Sequence, residues 1–177
     1  MKRFCAVLIL LFLFDGVTHA QESFTAFGST VTYTRPDSNK WNLVSNGMQG
    51  KSKAYLVMFE HQPIKDSLNR DVKPVIALIC ESVPESLDVI RYSIWKRGQT
   101  PFKVNKMMAH QDGSFTYKNS VGYEGEYKKD SVIHKIFIGH LRHGKVGIQL
   151  ICDSTDGVFD KVEADMRSFM RSINFKE

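Results

Sequence analysis

Between Phe102 and Cys152 the chain passes through four stretches of strand character, joined by connections too short for anything but antiparallel pairing. The first is Phe102–Ala109, closed by the turn Gln111-Asp112-Gly113. The second starts at Ser114–Lys118 and, after a break at Asn119-Ser120, resumes its alternation over Val121–Tyr127. The third is Val132–Leu141, and Arg142-His143-Gly144-Lys145 turns it into the fourth, Val146–Cys152. A meander of this kind is the frame on which everything else has to be placed.

The most apolar run outside the N-terminus, Val75-Ile76-Ala77-Leu78-Ile79-Cys80, has no polar face and reads as a strand in the middle of a sheet. Ile136, Phe137 and Ile138 likewise put apolar side chains on both sides of the third meander strand, as Leu150, Ile151 and Cys152 do on the fourth. Helices are therefore expected on both faces. Ser82 and Pro84 suit a helix start, Leu87, Ile90 and Ile94 give its buried stripe, and Gly98 ends it. Phe159, Val162, Met166, Phe169, Met170 and Ile173 share one face of a closing amphipathic helix, with Phe175 tucked in after it. Nearer the start, Thr30–Thr34 and Ala54–Glu60 read as strands. Residues 21–28 read as a mobile lead-in, Asn46-Gly47 as a turn, and 62–73 as a long loop. The expected class is α+β: an antiparallel sheet flanked by helices on both faces, an α/β/α sandwich.

The N-terminus has a different character. Lys2 and Arg3 precede the apolar run Phe4–Phe14, which is well short of the roughly 20 residues that span a bilayer, and Thr18-His19-Ala20 offers a cleavage site after Ala20. Residues 1–20 are read as a signal peptide and 21–177 as a single domain, exported to the periplasm or the extracellular space, with no transmembrane segment in the mature chain. The peptide takes Lys2, Arg3 and Asp15 with it, so the net charge of +5 becomes +4. The basic residues left are interspersed with Glu124, Glu126 and Asp130 instead of forming a stripe, which argues against a nucleic-acid partner. Two cysteines remain, Cys80 and Cys152, each closing an apolar strand. They are either a disulfide, which an exporting route permits, or two buried free thiols.

This layout resembles the PsbP-like proteins, a superfamily that includes the Ran-binding Mog-type proteins and exported bacterial relatives such as the DcrB-like group. The resemblance rests on Tyr33, Pro36 and Trp41 near the start, paired strands leading to Cys80, the Leu87 helix, the meander, and the ending Ser172-Ile173-Asn174-Phe175. It implies a fold and no common catalytic set.

Few residues point to chemistry. His140 and His143 form His-x-x-His at a hairpin, and His134 lies six residues before His140, on the same strand face. Together they are a candidate zinc or copper site, or else surface histidines around a turn. No nucleophile elbow, phosphate loop or Walker sequence is present, and no cofactor is expected. Glu124 and Glu126 read as solvent-facing charges balanced by Lys128 or Lys129. Tyr123 and Tyr127 flank Gly125 on the opposite face, leaving an open spot that is either a partner surface or ordinary cross-strand packing. The expected function is that of an exported, non-catalytic binding or accessory protein of the cell envelope, docking on a protein partner through a sheet edge or the 62–73 loop. The alternative is a small metal-binding protein or enzyme using the histidines.

Overall fold

The computed structural model describes residues 20–50 and 53–176, so the signal-peptide assignment falls almost wholly outside the described residues. In chain order the strands are β1 (Gln21–Ala26), β2 (Ser29–Thr34), β3 (Trp41–Gln49), β4 (Ala54–His61), β5 (Ile64–Lys65), β6 (Asp71–Val72) and β7 (Val75–Ser82). Then come helix α1 (Val89–Arg97), β8 (Lys103–Ala109), β9 (Ser120–Lys129), β10 (Val132–His143), β11 (Val146–Thr155), helices α2 (Asp156–Phe159) and α3 (Glu163–Ser172), and β12 (Asn174–Lys176).

Seven strands form one antiparallel sheet in the order β3-β4-β7-β11-β10-β9-β8. The meander is present, with β7 inside the sheet between β4 and β11. The second meander stretch is shorter than expected. Residues 114–118 form no strand; they are a loop that drops Phe115 into the core, its ring against the bare backbones of Gly122 and Gly139. Three other local expectations change. Residues 21–26 are not a mobile lead-in but β1, paired along its length with β2. Strand β3 runs straight through Asn46-Gly47, with its irregularity earlier, between Leu43 and Ser45. The 62–73 loop holds the hairpin β5–β6, clasped by Lys65–Asp71 at 2.9 Å and by Asp66, whose Oδ1 accepts from the Leu68 and Arg70 amides.

Strand alternation sorts the large sheet into two unlike faces. The inner face carries Val57, Phe59, Leu78, Ile148, Leu150 and Phe137, all fully buried. It is covered by the three-stranded sheet β1-β2-β12 and by α2 and α3. Phe169 of α3 fills the centre, 5.5 Å from the Tyr33 ring and 5.7 Å from Phe59, while Phe159 of α2 meets Phe137 edge-on at 5.0 Å. The apolar face predicted for the closing helix is the buried one, although a break after Phe159 divides it into α2 and α3. Each of those large side chains contributes about 1.5–3 kcal/mol by leaving water. Phe175 stands in β12 with its ring 4.8 Å from Tyr117.

The outer face overturns the α/β/α sandwich. Twelve strands stand against three short helices among the described residues, and only α1 lies on this face. Nine residues make a helix about 13 Å long, enough to cover one end of the sheet. Apolar residues on both strand faces predict full coverage, but Val75 and Ile151 on the outer face remain only half-buried.

Cys80 and Cys152 are free thiols, which corrects the disulfide proposal. They sit on neighbouring strands and on the same inner face, but Cys80 is opposite Ile148 and Cys152 opposite Ile76. A four-residue offset along a strand is about 13 Å, far beyond the reach of a disulfide. Both thiols are buried, and burial pushes both well above the ordinary thiol range.

Candidate functional site

Helix α1 starts where Asp88 caps it, accepting from the Arg91 amide at 2.8 Å, and ends at Gly98, whose N–H donates to the Ile94 carbonyl. Its orientation is the reverse of the expected one. Tyr92, Ser93 and Lys96 face the sheet and are buried, whereas Ile90 and Ile94 are 54% and 64% exposed. The sheet beneath explains this. At this end the outer face carries Glu81, His140, Arg142 and Gln149, polar groups that burial would leave without partners. The helix turns toward them the side that can satisfy them. Tyr92 lies flat over Gly147, where a Cβ would stand 2.8 Å from the ring, and donates to Glu81 at 2.7 Å. Ser93 Oγ is 3.0 Å from His140 Nδ1 and 2.9 Å from the Tyr123 hydroxyl, and Lys96 pairs with Glu81 at 2.6 Å. Arg142 donates to the carbonyls of Leu87, Pro84 and Glu85, tying down the segment that leads into the helix. The cost is an outward stripe of Ile90, Ile94 and Trp95, the last 49% exposed.

Beyond α1 the outer face is only partly covered: Val75, Ile151 and Asp153 keep some exposure, while Ala77, Ile136, Ile138, Gly125 and Tyr123 are buried. There the strands present cross-strand rows: Val75–Asp153–Ile136–Gly125, and next to it Ala77–Ile151–Ile138–Tyr123. Val75, Ile136, Ile151 and Tyr127, with Pro101 from the segment leaving α1, enclose an open groove of about 550 Å³. That lies within the roughly 300–1,000 Å³ range of small-molecule sites. Its polar wall is internally satisfied. Asp153 accepts from the Tyr127 hydroxyl at 2.6 Å and lies 2.8 Å from His134 Nδ1, with the Tyr127 and His134 rings stacked at 4.9 Å. Burial and the Asp153 carboxylate push the Tyr127 phenol well above its usual range. A second recess of about 320 Å³, lined by Arg70, Asp71, Lys129, Asp130 and His134, adjoins the first, with Lys129 lining both. The recess at Thr34, Arg35 and Asp165 is smaller, about 130 Å³.

The histidine cluster does not assemble. His134 and His140 share the outer face but stand about 20 Å apart along β10, one bound to Asp153 and the other sealed under α1. His143 is on the inner face, its Nδ1 2.9 Å from the Tyr117 hydroxyl and its ring stacked on Phe175. Among the described residues no three His, Cys, Asp or Glu side chains are grouped as a metal site would need. The Tyr123–Tyr127 patch changes as well: Phe102 fills the spot over Gly125, 2.6 Å from where a Cβ would be, and Tyr123 is buried. Only Tyr127 reaches an open surface, as a wall of the groove. Glu124 and Glu126 are paired not with Lys128 or Lys129 but with Arg167 and Lys103. The exposed helix stripe and the groove both went unread in the sequence.

No family model and no curated protein matches the sequence. Solved structures do match. LpqN, involved in cell envelope biogenesis of Mycobacterium tuberculosis, aligns with a TM-score of 0.57 at 13% identity, covering 89% of this chain and 91% of that one. A Bacteroides thetaiotaomicron protein aligns at 0.50 and 10% identity over 83% of this chain and 45% of that one. The fold is shared. At these identities nothing more is carried, and neither match shows the PsbP or Mog family that the layout suggested. Among the described residues no helix is long and apolar enough to cross a membrane.

Proposed function

We propose that this chain is a non-catalytic accessory protein of the cell envelope, exported by its first twenty residues, which docks a protein partner on the outward side of α1. One observation carries the reading: Ile90, Ile94 and Trp95 form an exposed apolar stripe on a helix that is held rigidly from beneath. Exposed apolar residues that include a tryptophan have the composition of an interface hot spot. The other surfaces considered are less suited. Edge strand β3 is interrupted at Leu43/Ser45 and edge strand β8 at Val104/Lys106, features that blunt edge pairing. The 62–73 hairpin exposes one large apolar side chain, Leu68. The buried, raised thiols support the absence of a cysteine nucleophile. The fold shared with LpqN is compatible with an envelope role.

A photo-crosslinking residue at position 94, in cells exporting the protein, is expected to give one discrete adduct. The same residue at Ile133, another exposed apolar position, on β10, should not give it. Trp95→Asp is expected to remove the adduct, since losing a hot-spot tryptophan costs about 2 kcal/mol or more, some thirtyfold in affinity. An adduct pattern identical at 94 and 133, or one unchanged by Trp95→Asp, would reject α1 as the docking surface.

A further inference from the structure

The groove beyond α1 calls for a different occupant from the helix stripe. Its floor is fully paired: Val75 between Glu60 and Asp153, Ile151 between Ala77 and Ile138, Ile136 between Asp153 and Gly125. A peptide laid there would bury its own N–H and C=O groups against side chains that offer no partner. An alkyl chain has no such groups to satisfy. Among the groove's polar atoms the Tyr127 hydroxyl and the Asp153 carboxylate are already engaged with each other.

Polarity is segregated along the cavity. The apolar part ends at Lys129, which also lines the adjoining recess, and there the β9–β10 turn carries Asp130. Of the charged groups in that recess, Arg70 is paired with Asp66 and Asp71 with Lys65. Lys129 and Asp130 make no ion pair among the described residues, so one cation and one anion stand side by side at the groove mouth.

We propose that the groove binds a single-chain amphiphile of the lysophospholipid class, its tail along Val75, Ile136 and Ile151 and its zwitterionic phosphate head at Lys129 and Asp130. This goes beyond partner docking and uses a separate surface. Phosphate would meet the Lys129 ammonium and the headgroup amine the Asp130 carboxylate.

The test uses the exported full-length protein and 1-oleoyl-lysophosphatidylethanolamine below its micelle concentration, followed by titration calorimetry and native mass. A saturable one-to-one complex is expected. Oleate, with the same tail and only a negative head, is expected to bind at least tenfold more weakly, and glycerophosphoethanolamine, which lacks the tail, not to bind. Ile151→Asp and, independently, Val75→Glu are expected to weaken lysolipid binding at least tenfold. Carrying both variants guards against one that fails to fold. Asp130→Asn, which removes the carboxylate that meets the headgroup amine, is expected to abolish the preference over oleate. No saturable complex, oleate binding as tightly as the lysolipid, or affinity unchanged in both groove variants would each overturn the proposal. So would a dimer in the absence of lipid that the same substitutions dissolve, because the groove would then belong to a second copy. The position-94 adduct persists in the groove variants if only the lipid site is lost, which separates failure here from failure of the docking surface.

Discussion

Replacing Arg142 with Met is expected to cost about 3–5 kcal/mol of unfolding free energy, because several buried carbonyls lose a charged donor at about 1–3 kcal/mol each. Arg142 is 4% exposed and its guanidinium has no carboxylate partner among the described residues. Instead its Nε donates to Leu87 O at 2.7 Å, its Nη2 to Pro84 O at 3.0 Å and Glu85 O at 3.1 Å, and its Nη1 to the carbonyls of Gly144 and Val146. These carbonyls belong to two segments far apart in the chain, the β10–β11 turn and the approach to α1. Methionine fills much of the volume but takes a donor from each of these carbonyls, of which Pro84 O keeps the Leu87 amide. Lysine keeps the charge without the planar fork that reaches both segments, and is expected to recover only part of the loss. Urea unfolding gives the total. Hydrogen exchange at the Tyr92 and Ser93 amides locates it, because α1 is expected to open well before the sheet. Uniform loss of protection across sheet and helix would mean that Arg142 stabilises the domain without specifically anchoring α1.

The second large effect is a dependence of stability on acidity set by His140. Burial, with the Lys96 cation as a lesser cause, lowers this imidazole from 6.5 to about 4. Among the described residues nothing accepts or donates at its Nε2, and its Nδ1 meets Ser93. The folded state therefore holds a neutral ring at a pH where the unfolded chain already binds a proton. The group's contribution is fully present above pH 6.5 and is lost as pH falls from about 6.5 to about 4. Below that both states carry the proton and the loss stops. Its full size is about 3 kcal/mol. The measurement is the urea midpoint at pH 7.5 and pH 4.5, for the native chain and for His140→Gln, which does not titrate. Carboxylates contribute in both proteins, so the decisive quantity is the difference between the two curves. It is expected to shrink across this window; curves that run parallel would show that His140 is not the group responsible.

Both effects act through the one helix whose orientation the sequence misled. Leu87, Ile90 and Ile94 have the spacing of a buried stripe, and spacing within the helix was the only local information. What decides the matter is a set of polar groups, Glu81, His140, Arg142 and Gln149, that come from three strands and meet only once the sheet is built. The signal was present as alternation: each of these residues occupies an outer-face position at the same end of its strand. By contrast the β9–β10–β11 meander and the buried side of α3 were legible because short turns and side-chain period determine them locally. The small sheet β1-β2-β12 was not, since β12 pairs with a strand some 140 residues earlier. The groove escaped for a related reason. Apolar residues on both faces of β7, β10 and β11 predict that both are covered, and no sequence period records that the covering helix is too short to finish the task.

Of the two tryptophans, Trp41 is fully enclosed, its indole N–H donating to Asp165, and Trp95 stands half in water on α1. They are two lamps in different rooms. The sealed indole emits toward the blue and is out of reach of iodide, while the wet one emits toward the red and is readily quenched. A partner seated on α1 shields only the second, opening of α1 changes the second before the first, and collapse of the whole domain merges both. The molecule thus carries its own two-channel optical readout, able to tell which of its parts has moved without any added label.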